Sequence, residues 1–267
     1  MPGDLLALHT SDAVGAVAVS CGERLGFEVL DPGGQHARSV LGAVRGVLAR
    51  LGVGLQDLRG LVVTTGPGSF TGIRIGLATA QGLAAARGWT VLACDSLKAE
   101  ATAHLGSDSP VGVVLDARRG EVYAALYDAR GDLPREQVAP FCASAEEAAG
   151  KLAAGVRGGT GRAGVRAHRG RPRSAEGRLL LVGSGVDLVR GFFVTAGVRA
   201  ECLARAGRET VVRALLDLAR AGGCPSYAPE QLEPEYLRRS DAEIRRQRSV
   251  PDSRGDWGPV DPGYGTS

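Results

Sequence analysis

Lysine is almost missing from this sequence: of 32 basic residues only Lys98 and Lys151 are not arginine. Arginine keeps its charge and presents a planar fork, but a bias spread along the whole chain reflects composition rather than one ligand. A net charge of +3 is too small to imply nucleic-acid binding by itself. No apolar run reaches the roughly 18 residues of a membrane span. Met1 to Asp4 has no basic flank, and Leu5 to Leu8 is too short for the core of a secretory leader, so no leader is expected. The 5 cysteines are odd in number and far apart, with no C-x-x-C. That pattern argues against a disulfide framework or a zinc site and for reduced thiols in the cytoplasm.

Glycine, by contrast, is abundant: 40 residues of 267, about twice the usual 7%. With 44% hydrophobic residues a sizeable core can still form. The first thirty residues read as three short strands, Leu5–Leu8, Val14–Val19 and Leu25–Leu30, separated by polar or glycine turns. Val40, Leu41, Val44, Val47, Leu48 and Leu51 then recur at helical spacing, which predicts an amphipathic helix over His36–Leu51. Leu61–Val63 is a buried strand, Ile73–Arg87 a second helix, Val91–Ala93 a strand, and Leu97–Ala103 a third helix. The order restarts at Val111–Leu115, followed by Glu121–Tyr127 and Leu133–Val138. A shift of about 107 residues lays Leu8 on Leu115, His9 on Asp116 and Val17 on Ala124, with negligible identity. A duplicated unit of three strands followed by alternating helices and strands is the plan of the two-lobed, actin-like and ribonuclease H-like α/β fold. The expected division is an N-terminal lobe at 1–104 and a smaller second lobe at 105–240.

Two stretches fall outside the plan. Val156 to Arg178 holds seven arginines and six glycines with one acid, Glu176. Such a segment buries too little to order itself, so it reads as a mobile insertion after a helix at Ala145–Ala154. Residues 241–267, rich in Pro, Gly and Asp, read as a flexible tail. The arginines of the insertion could contact RNA phosphates, but it has no aromatic residue to stack on bases, and a solvated loop is the preferred reading.

The densest signal is Gly66-Pro67-Gly68-Ser69-Phe70-Thr71-Gly72-Ile73-Arg74-Ile75-Gly76, between a strand and a helix. Backbone N–H groups at such a helix start favour an anion, and Ser69 or Thr71 can cap the helix. No G-K-[ST] follows, so it is not a P-loop. A tight turn without ligand is the competing reading. In the helix itself Gly72, Gly76, Ala80 and Ala84 make a smooth ridge, with Ala78, Gly82 and Ala86 beside it. Each interior glycine costs up to about 1 kcal/mol against alanine, so close approach of another element should offset it. Packing on the protein's own sheet and an intermolecular helix contact both fit.

The run GPGSFTGIRIGLATAQGLA resembles the signature of the TsaB (YeaZ) family, bacterial proteins of tRNA threonylcarbamoyladenosine synthesis. Gln35–Ser39, Asp116–Tyr123 and Pro234–Arg238 resemble further family stretches, so the likeness covers about residues 4 to 240 outside the insertion. It implies an actin-like fold, an N-terminal lobe that dimerises with the catalytic subunit TsaD, and TsaE as a third subunit, acting on adenosine 37 of tRNAs that read codons beginning with A. A homodimer is the competing assembly, tRNA is met through the complex, and no membrane is involved. The resemblance places the partner interface on the first two helices, at His36, Val40, Val44, Val47, Gly72, Gly76, Ala80 and Ala84.

Catalysis by this chain is not expected. Two imidazoles four apart on a helix can share one metal ion, the arrangement in catalytic relatives, but four residues after His36 stands Val40. Glu100 and His104 are one turn apart and read as a surface pair. Actin-like enzymes hold nucleotide with an acid at the end of the first strand. Here His9 stands before Thr10 and Ser11, and imidazole is a poor substitute for a hard oxygen ligand of Mg²⁺. Asp116 keeps the equivalent place in the second half. What remains is half a vestigial anion or nucleotide site: Thr10, Ser11, Gly66, Gly68, Ser69, Asp116, Gly183 and Gly185. The expectation is a pseudo-enzyme that requires no cofactor or metal and retains at most weak nucleotide binding; an ATP-dependent kinase or ATPase is the alternative.

Overall fold

The structure, a computed structural model, describes residues 3–30, 36–159, 178–203 and 206–238. The bulk of the expected insertion and the expected tail lie outside the described residues. Met1–Leu237 forms one compact unit. It begins with a meander, β1 (Leu5–His9), β2 (Ala16–Cys21) and β3 (Arg24–Val29). Cys21 pairs with Arg24 across a two-residue turn. Gly22 takes φ 56° there, as a primed hairpin turn requires at its first central position. Then come α1 (His36–Leu51), β4 (Gly60–Gly66), α2 (Phe70–Arg87), β5 (Val91–Asp95) and α3 (Ser96–Thr102). The second round comprises β6 (Val111–Arg118), β7 (Glu121–Asp128), β8 (Arg135–Ser144), α4 (Ala145–Gly159), β9 (Arg178–Val182), α5 (Val186–Thr195) and β10 (Arg199–Cys202). Last come α6 (Arg208–Arg220) and the short β11 (Ser226–Tyr227).

The strand orders are β11-β5-β4-β1-β2-β3 and β10-β9-β6-β7-β8. In each sheet the three-strand meander is antiparallel, and the next two strands add in parallel on the far side of the first; β11 closes the first sheet antiparallel to β5. Without β11 the two orders are the same, so the duplication legible in the sequence is real and the fold is the actin-like, ribonuclease H-like one.

Alternation along β1 sends its side chains to two cores, as a period of two must. Leu6 and Leu8 pack with α1 and α2, and Leu5 and Ala7 with α6. Burial of each such leucine contributes about 1.5–3 kcal/mol. The second sheet likewise packs α4 and α5 on one face, while Leu97 and Ala101 of α3 cover the other. Two sequence boundaries need correction. Val156 belongs to α4, which runs on to Gly159, because its side chain is buried in the second core. Helix α6 and strand β11 fall in the expected second lobe, yet they complete the first sheet: α6 buries Val211, Val212, Leu215 and Leu216 against β1 and β2, and β11 pairs with β5.

Candidate functional site

Helix α2 starts where β4 ends. Ser69 is its N-cap, accepting from the Gly72 N–H at 3.3 Å, and Gly88 ends it in the left-handed region at φ 67°. The ridge faces inward. A Cβ on Gly72 would collide with the carbonyl oxygen of Thr10, and one on Gly76 with the Thr10 hydroxyl. Gly72, Gly76, Ala80 and Ala84 are all buried, as are Val40, Val44 and Val47 of α1. Seven of the eight residues expected at a partner interface therefore contact this chain's own sheet; the eighth, His36, opens α1 with its side chain outside the described residues. Helical periodicity found the smooth ridge but could not tell which neighbour it served. The outward face of α2 carries the small residues Thr71, Ala78, Gly82 and Ala85, with the exposed Arg74 between the first two. Beside it α1 exposes Leu41, 47% accessible, with Arg45 and Ala49.

A strap at 228–237 lies across α2. Gln81 Nε2 donates to the carbonyls of Pro229 and Leu232 at 3.0 and 3.1 Å. Tyr236 stacks on Phe70 with ring centroids 4.0 Å apart, and its hydroxyl accepts from Arg74 Nε at 2.9 Å. The Glu235 N–H donates to Thr65 O at 2.9 Å.

Under the loop Gly66–Gly72 lies a closed polar cluster. Thr10 and Ser11 are buried, and the Ser69 N–H donates to Ser11 O at 2.6 Å. Ser11 Oγ donates to Thr64 Oγ1 at 3.2 Å and accepts from Ser96 Oγ at 2.7 Å. The glycine conformations at Gly66 and Gly68 thus admit the Glu235 and Ser11 carbonyls rather than a phosphate. At the end of β1, His9 Nε2 lies 3.2 Å from Arg208 Nη1. Guanidinium can only donate, so Nε2 is the acceptor and the neutral ring carries its proton on Nδ1, 3.5 Å from Ser11 Oγ. Arg208, only 6% exposed, also pairs with Asp12 at 3.1 Å and with buried Glu100 at 2.9 Å. Burial holds the Glu100 carboxyl above its ordinary range, opposed by Arg208.

Glu100 is therefore not half of a surface pair: it is 1% exposed and belongs to Arg208. His104 lies beyond the end of α3 with a buried, unbonded Nε2, and burial lowers its pKa. Arg208 was hidden among thirty arginines; only its place at the start of an amphipathic helix could have drawn notice. Asp116 holds its own loop, accepting from the Arg118 N–H at 2.7 Å. Gly183 and Gly185 let the turn before α5 approach Val114, with the Gly185 N–H donating to Val114 O at 2.9 Å. The eight residues of the expected anion site thus split between two lobes' turns. A magnesium nucleotide does not fit the first of them, where an imidazole ends β1, the Asp12 and Glu100 carboxylates are engaged by Arg208, and the loop is filled by backbone.

The family model described as "TsaD: tRNA N6-adenosine threonylcarbamoyltransferase" matches residues 33–245. The chain belongs to this family. Within it, the chain is similar to TsaB (YeaZ) proteins. It is 38% identical over 105 residues to the tRNA threonylcarbamoyladenosine biosynthesis protein TsaB of Bacillus subtilis, covering 39% of this chain and 45% of that protein. With TsaB of Escherichia coli it shares 37% over 95 residues, covering 35% and 41%. The aligned stretches thus span less than half the length of these two curated relatives. The solved structure of YeaZ from Pseudomonas aeruginosa superposes with a TM-score of 0.65 at 26% identity, covering 88% of this chain and 100% of that one. The TsaB-type signature falls on the part built around α2 and its loop.

Proposed function

We propose that this protein is the non-catalytic partner subunit of the complex that forms N6-threonylcarbamoyladenosine at position 37 of tRNAs reading codons that begin with A. It dimerises with a TsaD subunit and activates it, with TsaE as third member. The observation that carries this reading is the combination of TsaD-family membership with a Val40 buried where a second imidazole would be needed. No metal-holding pair remains on α1, and the polar cluster at the end of β1 is filled by Arg208. The chain then contributes surface rather than chemistry.

The interface belongs on the outward rows of α1 and α2: Leu41, Thr71, Ala78, Gly82 and Ala85. Small side chains there let a partner helix approach closely. The inward ridge serves the same end indirectly, by fixing α2 on the sheet. No nucleotide is required for this role. The deciding experiment is co-expression with the cognate TsaD, followed by a pull-down and by measurement of the modified nucleoside after depletion. Copurification and loss of the modification support the proposal. Failure to bind, with unchanged modification, overturns it. Calorimetric ATP binding with Mg²⁺ would transfer support to the ATPase alternative.

A further inference from the structure

Two buried cysteines that the sequence separates widely are brought together beside the first sheet. Cys94 lies in β5 and Cys224 immediately before β11. β11 runs antiparallel to β5 with Tyr227 opposite Val91 and Ser226 opposite Leu92, and the Ala93 N–H donates to Pro225 O at 2.9 Å. Continuing that register sets Cys224 opposite Cys94. Ala93 and Pro225 form a hydrogen-bonded pair that lacks its second bond because proline has no N–H. The next pair is therefore a non-hydrogen-bonded one, where opposed Cα atoms approach to about 4.5 Å and side chains are closest. A disulfide spans Cα separations of about 4.4–6.8 Å. Both thiols are buried, and the Cys94 S–H donates to the Asp95 carbonyl at 3.2 Å.

We propose that Cys94 and Cys224 are a redox-active thiol pair that reacts with a peroxide-class oxidant and closes into an intrachain disulfide. Lys98 sets the polarity of the pair. Its Nζ donates to Gly223 O at 3.1 Å, which fixes an ammonium beside Cys224. The neighbouring Cys94 thiol, with the Lys98 charge, lowers the Cys224 pKa against the opposing effect of burial. The neighbouring Cys224 and burial raise that of Cys94. Cys224 is thus the attacking thiolate and Cys94 the resolving thiol. The Cys224 sulfur attacks one peroxide oxygen, the O–O bond breaks, and the departing oxygen leaves as water with a proton. This gives a sulfenic acid on Cys224. The Cys94 sulfur then displaces that hydroxyl as a second water, forming the S–S bond. Two thiols are oxidised and the two peroxide oxygens are reduced. In reducing surroundings the pair rests as a dithiol, so the disulfide is a response to oxidant and a dithiol reductant reverses it. The bond would tie the start of the segment that continues into the strap over α2.

The test uses the full chain, reduced, freed of reductant and treated with hydrogen peroxide. Alkylation under denaturing conditions and peptide mapping without reduction follow. The expected product is a monomer lighter by two hydrogens, containing one cross-linked peptide pair with Cys94 and Cys224. Alkylatable thiols fall from 5 in the reduced chain to three, that is, five less the two joined. Cys94→Ser should stall at a sulfenic acid on Cys224 that dimedone traps, and Cys224→Ser should leave Cys94 alkylatable. Cys94 and Cys224 both remaining alkylated after peroxide, or cross-links only through the exposed Cys202, would overturn the proposal. The wild-type map decides the matter even if either variant fails to fold.

Discussion

The sharpest test of how α2 is seated is the same substitution, glycine to alanine, at three positions of one helix. In a helix interior that change ordinarily gains about 0.5–1 kcal/mol. At Gly82 a new Cβ meets nothing within 4 Å, so Gly82→Ala should show that gain in full. At Gly76 the new carbon strikes the Thr10 hydroxyl, with Val63 Cγ2 at 3.6 Å behind it. Thr10 Oγ1 has no hydrogen bond to lose, but clearing it takes a χ1 shift of a buried β-branched side chain, so Gly76→Ala should lie near neutral or mildly destabilising. At Gly72 the obstacle is the Thr10 carbonyl oxygen, backbone of the residue that follows β1, which cannot rotate away. Overpacking costs typically 1–3 kcal/mol, and a backbone obstacle puts Gly72→Ala at the upper end, about 2 kcal/mol net of the helical gain. For a domain of this size each kcal/mol moves the melting temperature by about 2–4 °C. Thermal melts should therefore rank Gly82→Ala above wild type, Gly76→Ala near it, and Gly72→Ala about 4–8 °C below. A Gly72→Ala protein as stable as wild type would refute the inward placement of the ridge.

Arg208→Ala should destabilise by about 3–5 kcal/mol, because it strands the buried Glu100 carboxylate; chemical denaturation measures this, and Arg208→Lys should rescue little, since an ammonium cannot reproduce the fork to His9, Asp12 and Glu100. Asp95 titrates at about 7, raised from 3.8 chiefly by burial. A carboxyl raised in the folded state favours folding fully below its unfolded pKa, and that contribution is lost as pH rises through about 7. Asp95→Asn should keep the cap on the Lys98 N–H and flatten the fall in melting temperature between pH 4 and 8; an unchanged slope would count against it. Ala78→Leu or Gly82→Leu should abolish capture by TsaD without lowering the melting temperature, whereas full binding by both variants would move the interface elsewhere.

The sequence carried the topology because each round of strands and helices announces itself through period and punctuation. His36–Leu51 is legible to both ends, since its apolar residues recur at 3.6 and glycine follows at Gly52. The ridge of α2 was legible as a close contact but not as an internal one: small residues permit approach from either side, and only the fold places Thr10 beneath Gly72. Leucine at Gly76 or Ala80, which would test a partner interface placed on the ridge, would therefore damage the fold first. Arg208 and the Cys94–Cys224 pair were illegible for a common reason. Both depend on α6 and β11 returning from the end of the chain to the first sheet, a long-range pairing with no local signature.

That return also governs the order in which the molecule can be made. A chain emerging from its N-terminus has β1 to β5 at hand early, yet the helix that covers one face of that sheet and the strand that closes its edge are made last. Domains commonly fold in sequence as synthesis proceeds at about 5–20 residues per second. Here the second sheet has all its strands once Cys202 is made, whereas the first must wait for Tyr227. The half synthesised first is thus the half completed last, and a chain cut after residue 104 would leave the face bearing Leu5, Ala7 and Val62 open to water.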